Sequence, residues 1–217
     1  MNKILVLDFG SQYTQLIARK VRELGVYSEI WPPSASIEKI REARPQGIIL
    51  SGGPQSVYEE GAPAPTPEIF TLGVPVLGIC YGLHLMAHLL GGKVAPSSRR
   101  EFGFASLRIM DRGGLLSGLK DKEQVWMSHG DKVEKLPPGF RITGRTGNTR
   151  FGVVEDPKRD FYGVQFHPEV IHTKEGKKVL SNFLFKIAGL VPDWNIGSFI
   201  ERKTEEIRKT VGRGRVL

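Results

Sequence analysis

The chain has 217 residues, of which 40% are hydrophobic and 25% charged, as is typical of a globular protein. Such a length accommodates one α/β domain of about 190 residues and a short appendage. No apolar run approaches the roughly 20 residues that span a bilayer, and no signal peptide is evident, so we expect a cytoplasmic protein without membrane contact. The net charge is +8, and part of it is concentrated in residues 198–217. The other basic pairs are short and are not interleaved with base-stacking aromatic side chains, which argues against nucleic-acid binding.

The first half of the chain alternates between short apolar runs and amphipathic stretches. The apolar runs are residues 4–7, 26–31, 47–50 and 74–79, and the helical stretches are residues 12–24, 37–43 and 81–90. This alternation is typical of a parallel sheet whose strands bind ligands at their carboxyl ends. We therefore predict a flavodoxin-like α/β fold, with a mixed, mostly parallel sheet flanked by helices.

The second half predicts an additional antiparallel β region, because its strand candidates are separated by Gly, Pro and Asp turns. The candidates are residues 104–110, 125–128, 140–146, 151–155 and 161–166. A helix is predicted over residues 174–188, so we expect the globular domain to cover residues 1–189. Residues 190–217 are interpreted as a linker followed by a charged helix from about residue 198 to residue 210.

Cys80, the single cysteine, lies in the segment Gly78-Ile79-Cys80-Tyr81-Gly82, between a predicted strand and a predicted helix. A turn of this kind holds a side chain at the carboxyl edge of the sheet, where helix amides lower a thiol's pKa and can bind an oxyanion. The position therefore suits a nucleophile. Most solitary cysteines only fill a core, so the surrounding motifs have to decide.

A candidate base for this thiol follows the predicted strand at residues 161–166. His167 ends that strand, and Glu169 stands two positions later. A thiol needs a base to become a thiolate, and the base needs a partner that fixes its tautomer. Cys80, His167 and Glu169 can fill these three roles, although their order in the sequence is weak evidence by itself.

Two further segments are candidates for the same site. The loop Ser51-Gly52-Gly53-Pro54 follows the third strand, and the amides of Gly53 and Tyr81 together would supply two oxyanion donors. The alternative is a glycine-rich turn or a phosphate cradle, although no Walker lysine follows the loop. The segment from Trp126 to Asp131 is interpreted as a strand that runs into a polar turn able to hold an amino acid. Its alternative is core residues followed by a solvent loop.

Two histidine patterns have simpler interpretations. His84 and His88 have the i, i+4 spacing of helical zinc ligands, but no glutamate or third ligand accompanies them, so we expect no metal. His172 is interpreted as a surface or cap residue.

The Cys80 segment, the Ser51–Pro54 loop and the segment Gly163–Glu169 together resemble class I (triad) glutamine amidotransferases, over about residues 3–189. Within this family, the segment Leu7–Tyr13 and the segment Trp126–Asp131 are similar to the amidotransferase half of glutamine-hydrolysing GMP synthases. Tyr81, directly after the cysteine, supports the same resemblance, because the anthranilate and carbamoyl-phosphate relatives usually carry leucine there.

The resemblance implies a role for each motif residue. Cys80 would be the nucleophile, His167 the general base and then acid, and Glu169 the residue that orients His167. Gly53 and Tyr81 would donate backbone amides to the oxyanion. The same resemblance places His84, Gly130 and Asp131 at the bound glutamine.

Two departures from the family pattern accompany these matches. The family commonly has glutamine where this chain has His84, and its usual Asn-x-Pro is replaced by Asn148-Thr149-Arg150. An imidazole cannot present an amide's donor and acceptor together, so we expect glutamine binding to differ.

The resemblance also implies a partner. Arg215-Val216-Leu217 would lead into an ATP pyrophosphatase domain, which would use ATP and magnesium to convert XMP to GMP with the ammonia made here. No cofactor is expected in residues 1–217, and the full-length enzyme is expected to be a homodimer. The alternative functions are a cysteine hydrolase of γ-glutamyl peptides and a catalytically silent regulatory module.

Overall fold

The structure, a computed structural model, describes residues 2–212 and residue 214, apart from the side chains of Ser98 and Arg99. The segment Arg215–Leu217, after which the sequence predicts a further domain, lies outside these residues. Within the described ranges, no helix is long and apolar enough to cross a membrane.

The described residues form nine strands and five α-helices. The strands are β1 Lys3–Leu7, β2 Tyr27–Trp31, β3 Gly47–Leu50, β4 Val76–Ile79, β5 Lys93–Ile109, β6 Lys122–Lys135, β7 Arg141–Arg145, β8 Val153–Asp156 and β9 Phe161–Val164. The helices are α1 Thr14–Glu23, α2 Ile37–Ala43, α3 Tyr81–Leu89, α4 Gly176–Ser181 and α5 Ile196–Val211. Short 3-10 helices at Pro67–Thr71 and Gly114–Leu116 and a π-helix at Asn182–Ile187 complete the set.

All nine strands of the described chain belong to one mixed sheet, in the order β2-β1-β3-β4-β9-β8-β7-β5-β6. In this order, neighbouring strands from β2 across to β9 pair in parallel. Neighbouring strands from β9 across to β6 pair antiparallel. The predicted flavodoxin-like α/β class, with its additional antiparallel region, is confirmed. Every residue of β3, β4 and β9 is buried, because helices cover both faces of the parallel part.

Two apolar cores, one on each face, hold the helices to the sheet. On one face α1 and α4 contribute Ile17, Val21 and Val179. On the other face α2 contributes Ile40, and α3 contributes Leu83. The carboxyl ends of the parallel strands stay uncovered by helices, and there the candidate site lies.

The antiparallel hairpin of β5 and β6 is much longer than the sequence predicts. β5 begins at Lys93 rather than near Phe104, and β6 continues to Lys135. The polar turn predicted at the end of the Trp126–Asp131 segment is therefore wrong. Polar composition favours a turn when a segment stands alone, but here β5 pairs with every residue of the segment except Gly130.

The predicted helix over residues 174–188 begins at Gly176 and changes to a π-helix at Asn182. The Asn182 side chain donates to the carbonyls of Leu115 and Ser117, at 2.9 and 2.8 Å, at the point where the helix changes. A Cβ on Gly176 would collide with the carbonyl of Pro168. The helix start thus packs directly against the loop that carries His167.

The charged helix predicted near the C-terminus is α5, capped by the side chain of Asn195, which accepts from the amide of Ser198 at 2.9 Å. The ring of Phe199 stacks on Tyr27 of β2 with centroids 5.5 Å apart. The Trp194 amide donates to the carbonyl of Gly25 at 2.8 Å. The division into residues 1–189 and 190–217 stays a prediction.

Candidate active site

A cavity of about 780 Å³ opens at the carboxyl ends of the parallel strands. The loops after β1 and β3 form one side of it, and the β5–β6 hairpin forms the other. Its lining includes Cys80, His167, Gly53 and Tyr81. The residues that the sequence predicts as a nucleophile, a base and two oxyanion donors therefore share one cavity.

The backbone of Cys80 is held in a sharp turn between β4 and α3. Its φ of 52° and ψ of −104° lie outside the regions that L-residues prefer. The Cys80 amide donates to the carbonyl of Val164 in β9 at 2.8 Å. Glycines on either side make the turn fit, since a Cβ on Gly78 would lie 2.6 Å from the carbonyl oxygen of Gly82.

Three groups contact the Cys80 thiol. It donates to the carbonyl of Ser128 in β6, with 3.6 Å between sulfur and oxygen. The side-chain amide of Gln165 donates to the sulfur at 3.8 Å. The His167 ring also interacts with the thiol. The side chain of Cys80 is therefore held in place by the hairpin and by the residues that follow β9.

The His167 ring and Glu169 form a buried pair. The Nδ1 atom of His167 lies 2.7 Å from an oxygen of Glu169, whose side chain is fully buried. Burial lowers the pKa of His167, but hydrogen bonds to Cys80 and Glu169, together with their charges, outweigh it and raise the pKa to about 10. Glu169 thus fixes the ring and favours its protonated form.

The main chain of His167 is anchored to β6. Its amide donates to the carbonyl of Trp126 at 3.0 Å, and its own carbonyl accepts from the hydroxyl of Thr173 at 2.6 Å. The ring of Tyr13 packs edge-on against the imidazole, with centroids 5.0 Å apart. A Cβ on Gly52 would lie 3.1 Å from Cε1 of the ring. Neighbours on several sides therefore restrict the position of the imidazole.

Gly53 and Tyr81 lie side by side in the cavity wall. A Cβ on Gly53 would fall 2.8 Å from the carbonyl oxygen of Phe9 and 3.1 Å from the Tyr81 ring, so a side chain does not fit there. Tyr81 is the first residue of α3, and such an amide has no acceptor within its own helix. Two backbone amides beside a nucleophile can bind an oxyanion.

Gly130 and Asp131 also line the cavity. The Asp131 carboxylate accepts hydrogen bonds from the hydroxyls of Ser56 and Tyr58, the latter at 2.8 Å. Both hydroxyls come from the segment after β3, so these hydrogen bonds join the two sides of the cavity. The sequence did not single out Ser56 or Tyr58.

His84 lies beside Gln165 at the wall of the cavity. Its Nε2 atom is 2.8 Å from the side-chain oxygen of Gln165. Burial lowers the pKa of His84 to about 4, which leaves the ring neutral and able to donate through this nitrogen. Gln165 thereby receives a hydrogen bond from His84 and gives one to Cys80.

His88 and His172 lie apart from this chemistry. His88 is exposed on α3. His172 is exposed and stacks on Trp126, with ring centroids 4.4 Å apart. In the part of the chain that the structure describes, no three His, Cys, Asp or Glu side chains gather as metal ligands.

The amino-acid sequence of this chain is similar to those of known proteins. The family model Glutamine amidotransferase class-I matches residues 5–187. The chain is 52% identical to GMP synthase [glutamine-hydrolyzing] of Carboxydothermus hydrogenoformans over 216 residues, and 55% identical to the protein of the same name in Heliobacterium modesticaldum over 214 residues. These alignments cover 100% and 99% of this chain. The chain spans 42% of the length of each of these curated relatives.

Solved structures agree with these matches. A Thermoplasma acidophilum protein, described as one subunit of a candidate GMP synthase, is similar with a TM-score of 0.78 and 31% identity, over 94% of this chain and 98% of that one. A glutamine amidotransferase of Thermotoga maritima has a TM-score of 0.64 at 19% identity, over 97% of this chain and 92% of that one, and shows the shared fold.

Proposed function

The chain belongs to the class-I glutamine amidotransferase family, and on that basis we propose that it hydrolyses the side-chain amide of L-glutamine to glutamate and ammonia. Cys80 acts as the nucleophile, His167 as the base and acid, and Glu169 as the residue that orients His167. The observation that supports this proposal is one cavity that Cys80 and His167 both line, with the Glu169 carboxylate hydrogen-bonded to the His167 ring.

The first half of the reaction forms a thioester. His167 takes the thiol proton, and the sulfur of Cys80 attacks the amide carbon of glutamine, forming a C–S bond and an oxyanion. The amides of Gly53 and Tyr81 stabilise the oxyanion. His167 then gives its proton to the amide nitrogen, the C–N bond breaks and ammonia leaves.

The second half regenerates the enzyme. His167 takes a proton from water, and the resulting hydroxide attacks the γ-glutamyl thioester. The C–S bond breaks, glutamate leaves and the proton returns to the sulfur. Gly130 and Asp131 bind the α-amino and α-carboxylate groups of glutamine throughout, and His84 contributes through Gln165.

The whole protein is proposed to make GMP, as the names of its curated relatives suggest. Ammonia passes to an ATP pyrophosphatase domain, which activates XMP with ATP and magnesium. No cofactor binds to the amidotransferase domain. The full-length enzyme is proposed to be a cytoplasmic homodimer that binds neither nucleic acid nor a membrane.

The test is release of glutamate and ammonia from glutamine. We expect release by this chain to rise when a GMP synthase pyrophosphatase domain, ATP, magnesium and XMP are added, and to vanish in Cys80→Ala. Full activity in Cys80→Ala would overturn the assignment of the nucleophile. Faster release of glutamate from γ-glutamyl peptides than from glutamine would assign the chain to the peptide hydrolases instead.

A further inference from the structure

A buried cluster of polar side chains behind the cavity has no part in the mechanism above. Glu101 of β5 and His129 of β6 lie 3.3 Å apart, with side-chain exposures of 9% and 2%. Burying a carboxylate is costly unless its hydrogen-bonding capacity is satisfied. Here the carboxylate accepts from the hydroxyl of Thr146 at 3.2 Å and from that of Thr149.

The ring of His129 joins this cluster to the cavity wall. Its Nε2 atom faces Glu101, and its Nδ1 atom lies 2.7 Å from the main-chain carbonyl oxygen of Asp131. The Nδ1 atom therefore donates to this carbonyl, and the Nε2 atom also lies 3.4 Å from the hydroxyl of Thr149. The ring therefore holds the backbone two residues further on, and Gly130 lies between the two fixed points.

The pair also stands at an irregularity of the hairpin. Pro96 pairs with Asp131 and Glu101 pairs with His129, so four residues of β5 stand opposite Gly130 alone. Bulges of this kind re-aim the residues beside an active site. Arg100 and Phe102, on either side of Glu101, both line the cavity. Glu101 thus fixes one end of the bulge from the inside.

We propose that Glu101 and His129 form a positioning clamp that holds Gly130 and Asp131 where they bind the α-amino and α-carboxylate groups of glutamine. The clamp acts on substrate affinity and leaves the reactivity of the thiol unchanged. This inference rests on the proposed function, because it assumes that glutamine occupies the cavity.

Two alkylating probes of Cys80 separate affinity from reactivity. A chloroketone analogue of glutamine carries the α-amino and α-carboxylate groups, whereas iodoacetamide carries neither. In Glu101→Gln we expect labelling of Cys80 by the chloroketone to slow by about 10- to 100-fold, as for loss of a charged hydrogen-bond partner. The half-saturating concentration of the chloroketone should rise, and the rate of labelling by iodoacetamide should stay unchanged.

Glu155→Gln is the matched control. Glu155 is also buried and accepts two hydrogen bonds from Arg141, at 3.1 and 2.6 Å, but neither residue lines the cavity. The Glu155→Gln variant should be less stable than the wild type but should keep its affinity for the chloroketone. Thr149→Val, which removes one hydroxyl from Glu101, should weaken chloroketone binding in the same direction by a smaller factor, and it serves if Glu101→Gln does not fold.

Unchanged chloroketone labelling in Glu101→Gln or, should that variant not fold, in Thr149→Val would overturn the clamp. Equal slowing of both probes would also overturn it, since that pattern indicates a general distortion. A wild-type chain whose Cys80 reacts with iodoacetamide but shows no preference for the chloroketone would instead contradict the proposed function. The two failures are therefore distinguishable.

Discussion

Cys80, Gln165 and His84 form a chain of two hydrogen bonds that leads from the thiol into the core. The neutral His84 ring fixes the orientation of the Gln165 amide, so that its N–H groups face the sulfur. The family resemblance implies that position 84 commonly holds glutamine and lies at the bound substrate. In the structure, the imidazole also acts through Gln165.

His84 makes folding sensitive to acid. Its pKa falls from 6.5 to about 4 on burial, so the folded state binds the proton less well than the unfolded state. Stability should be complete above pH 6.5 and decline as the pH falls toward 4. At about pH 5 the loss amounts to about 2 kcal/mol. Urea unfolding above pH 6.5 and at about pH 5 should show this loss in the wild type and not in His84→Gln. Equal losses in the two proteins would contradict the role of His84.

His167 should titrate far above an ordinary histidine. Its pKa rises from 6.5 to about 10, so its contribution to folding stability is complete below pH 6.5 and is lost as the pH rises through about 10. Ring resonances followed by NMR should show this titration, and Glu169→Gln should lower the pKa because a negative charge is removed. A wild-type ring that titrates near 6.5 would refute this electrostatic description.

The sequence predicts the triad more readily than the residues that support it. Cys80 and His167 each follow a strand of the parallel part, β4 and β9, and the carboxyl ends of such strands meet at one edge. Glu101 gives no such signal, because it stands in a charged stretch that shows no strand alternation. Its contact with His129 depends on the register of a bulged hairpin, which local periodicity does not fix.

At the scale of elements, the turn between β4 and α3 depends on close packing of its glycines. A Cβ on Gly82 would collide with the carbonyl of Leu50 in β3 and lie 2.7 Å from its Cβ. We expect Gly82→Ala to cost about 3 kcal/mol or more of unfolding free energy and to slow labelling of Cys80. Denaturant unfolding and iodoacetamide labelling measure the two effects.

Gly147→Ala is the control for this prediction, because nothing lies within 4 Å of its added Cβ. It should change stability by less than about 1 kcal/mol. Equal effects of the two alanine substitutions would show that the packing of α3 on β3 does not shape the turn.

The secondary-structure elements differ in how far sequence predicts them. The helix at residues 37–43 and the strand at residues 47–50 have the predicted bounds, because each shows one clear period. The β5–β6 hairpin does not, since its polar residues pair with each other or face the cavity. There the partner strand, rather than hydrophobic alternation, determines the structure.

At the scale of the whole molecule, the two edge strands of the sheet, β6 and β2, contact different parts of the protein. The β6 end curls over the cavity, and its carbonyls bind the Cys80 thiol and the His167 amide. The β2 end carries α5, which has no buried residue and is held by the Tyr27–Phe199 contact and the Trp194 main chain. The helix is therefore separate from the chemistry.

Removal of residues 195–217 should accordingly leave the site intact. We expect a loss of about 1 kcal/mol, the value of a partly buried aromatic pair, and unchanged labelling of Cys80 by the chloroketone. Thermal unfolding and labelling rates check the two outcomes. A large loss of labelling would show that α5 supports the cavity after all.

The central claim, that Cys80 forms a covalent intermediate with glutamine, is tested most directly by acid quenching during turnover. The quenched protein is digested and analysed by mass spectrometry. We predict a γ-glutamyl group on the peptide that contains Cys80, sensitive to hydroxylamine and absent from Cys80→Ala. Hydrolysis of glutamine with no such adduct, or with an adduct on another residue, would contradict the account.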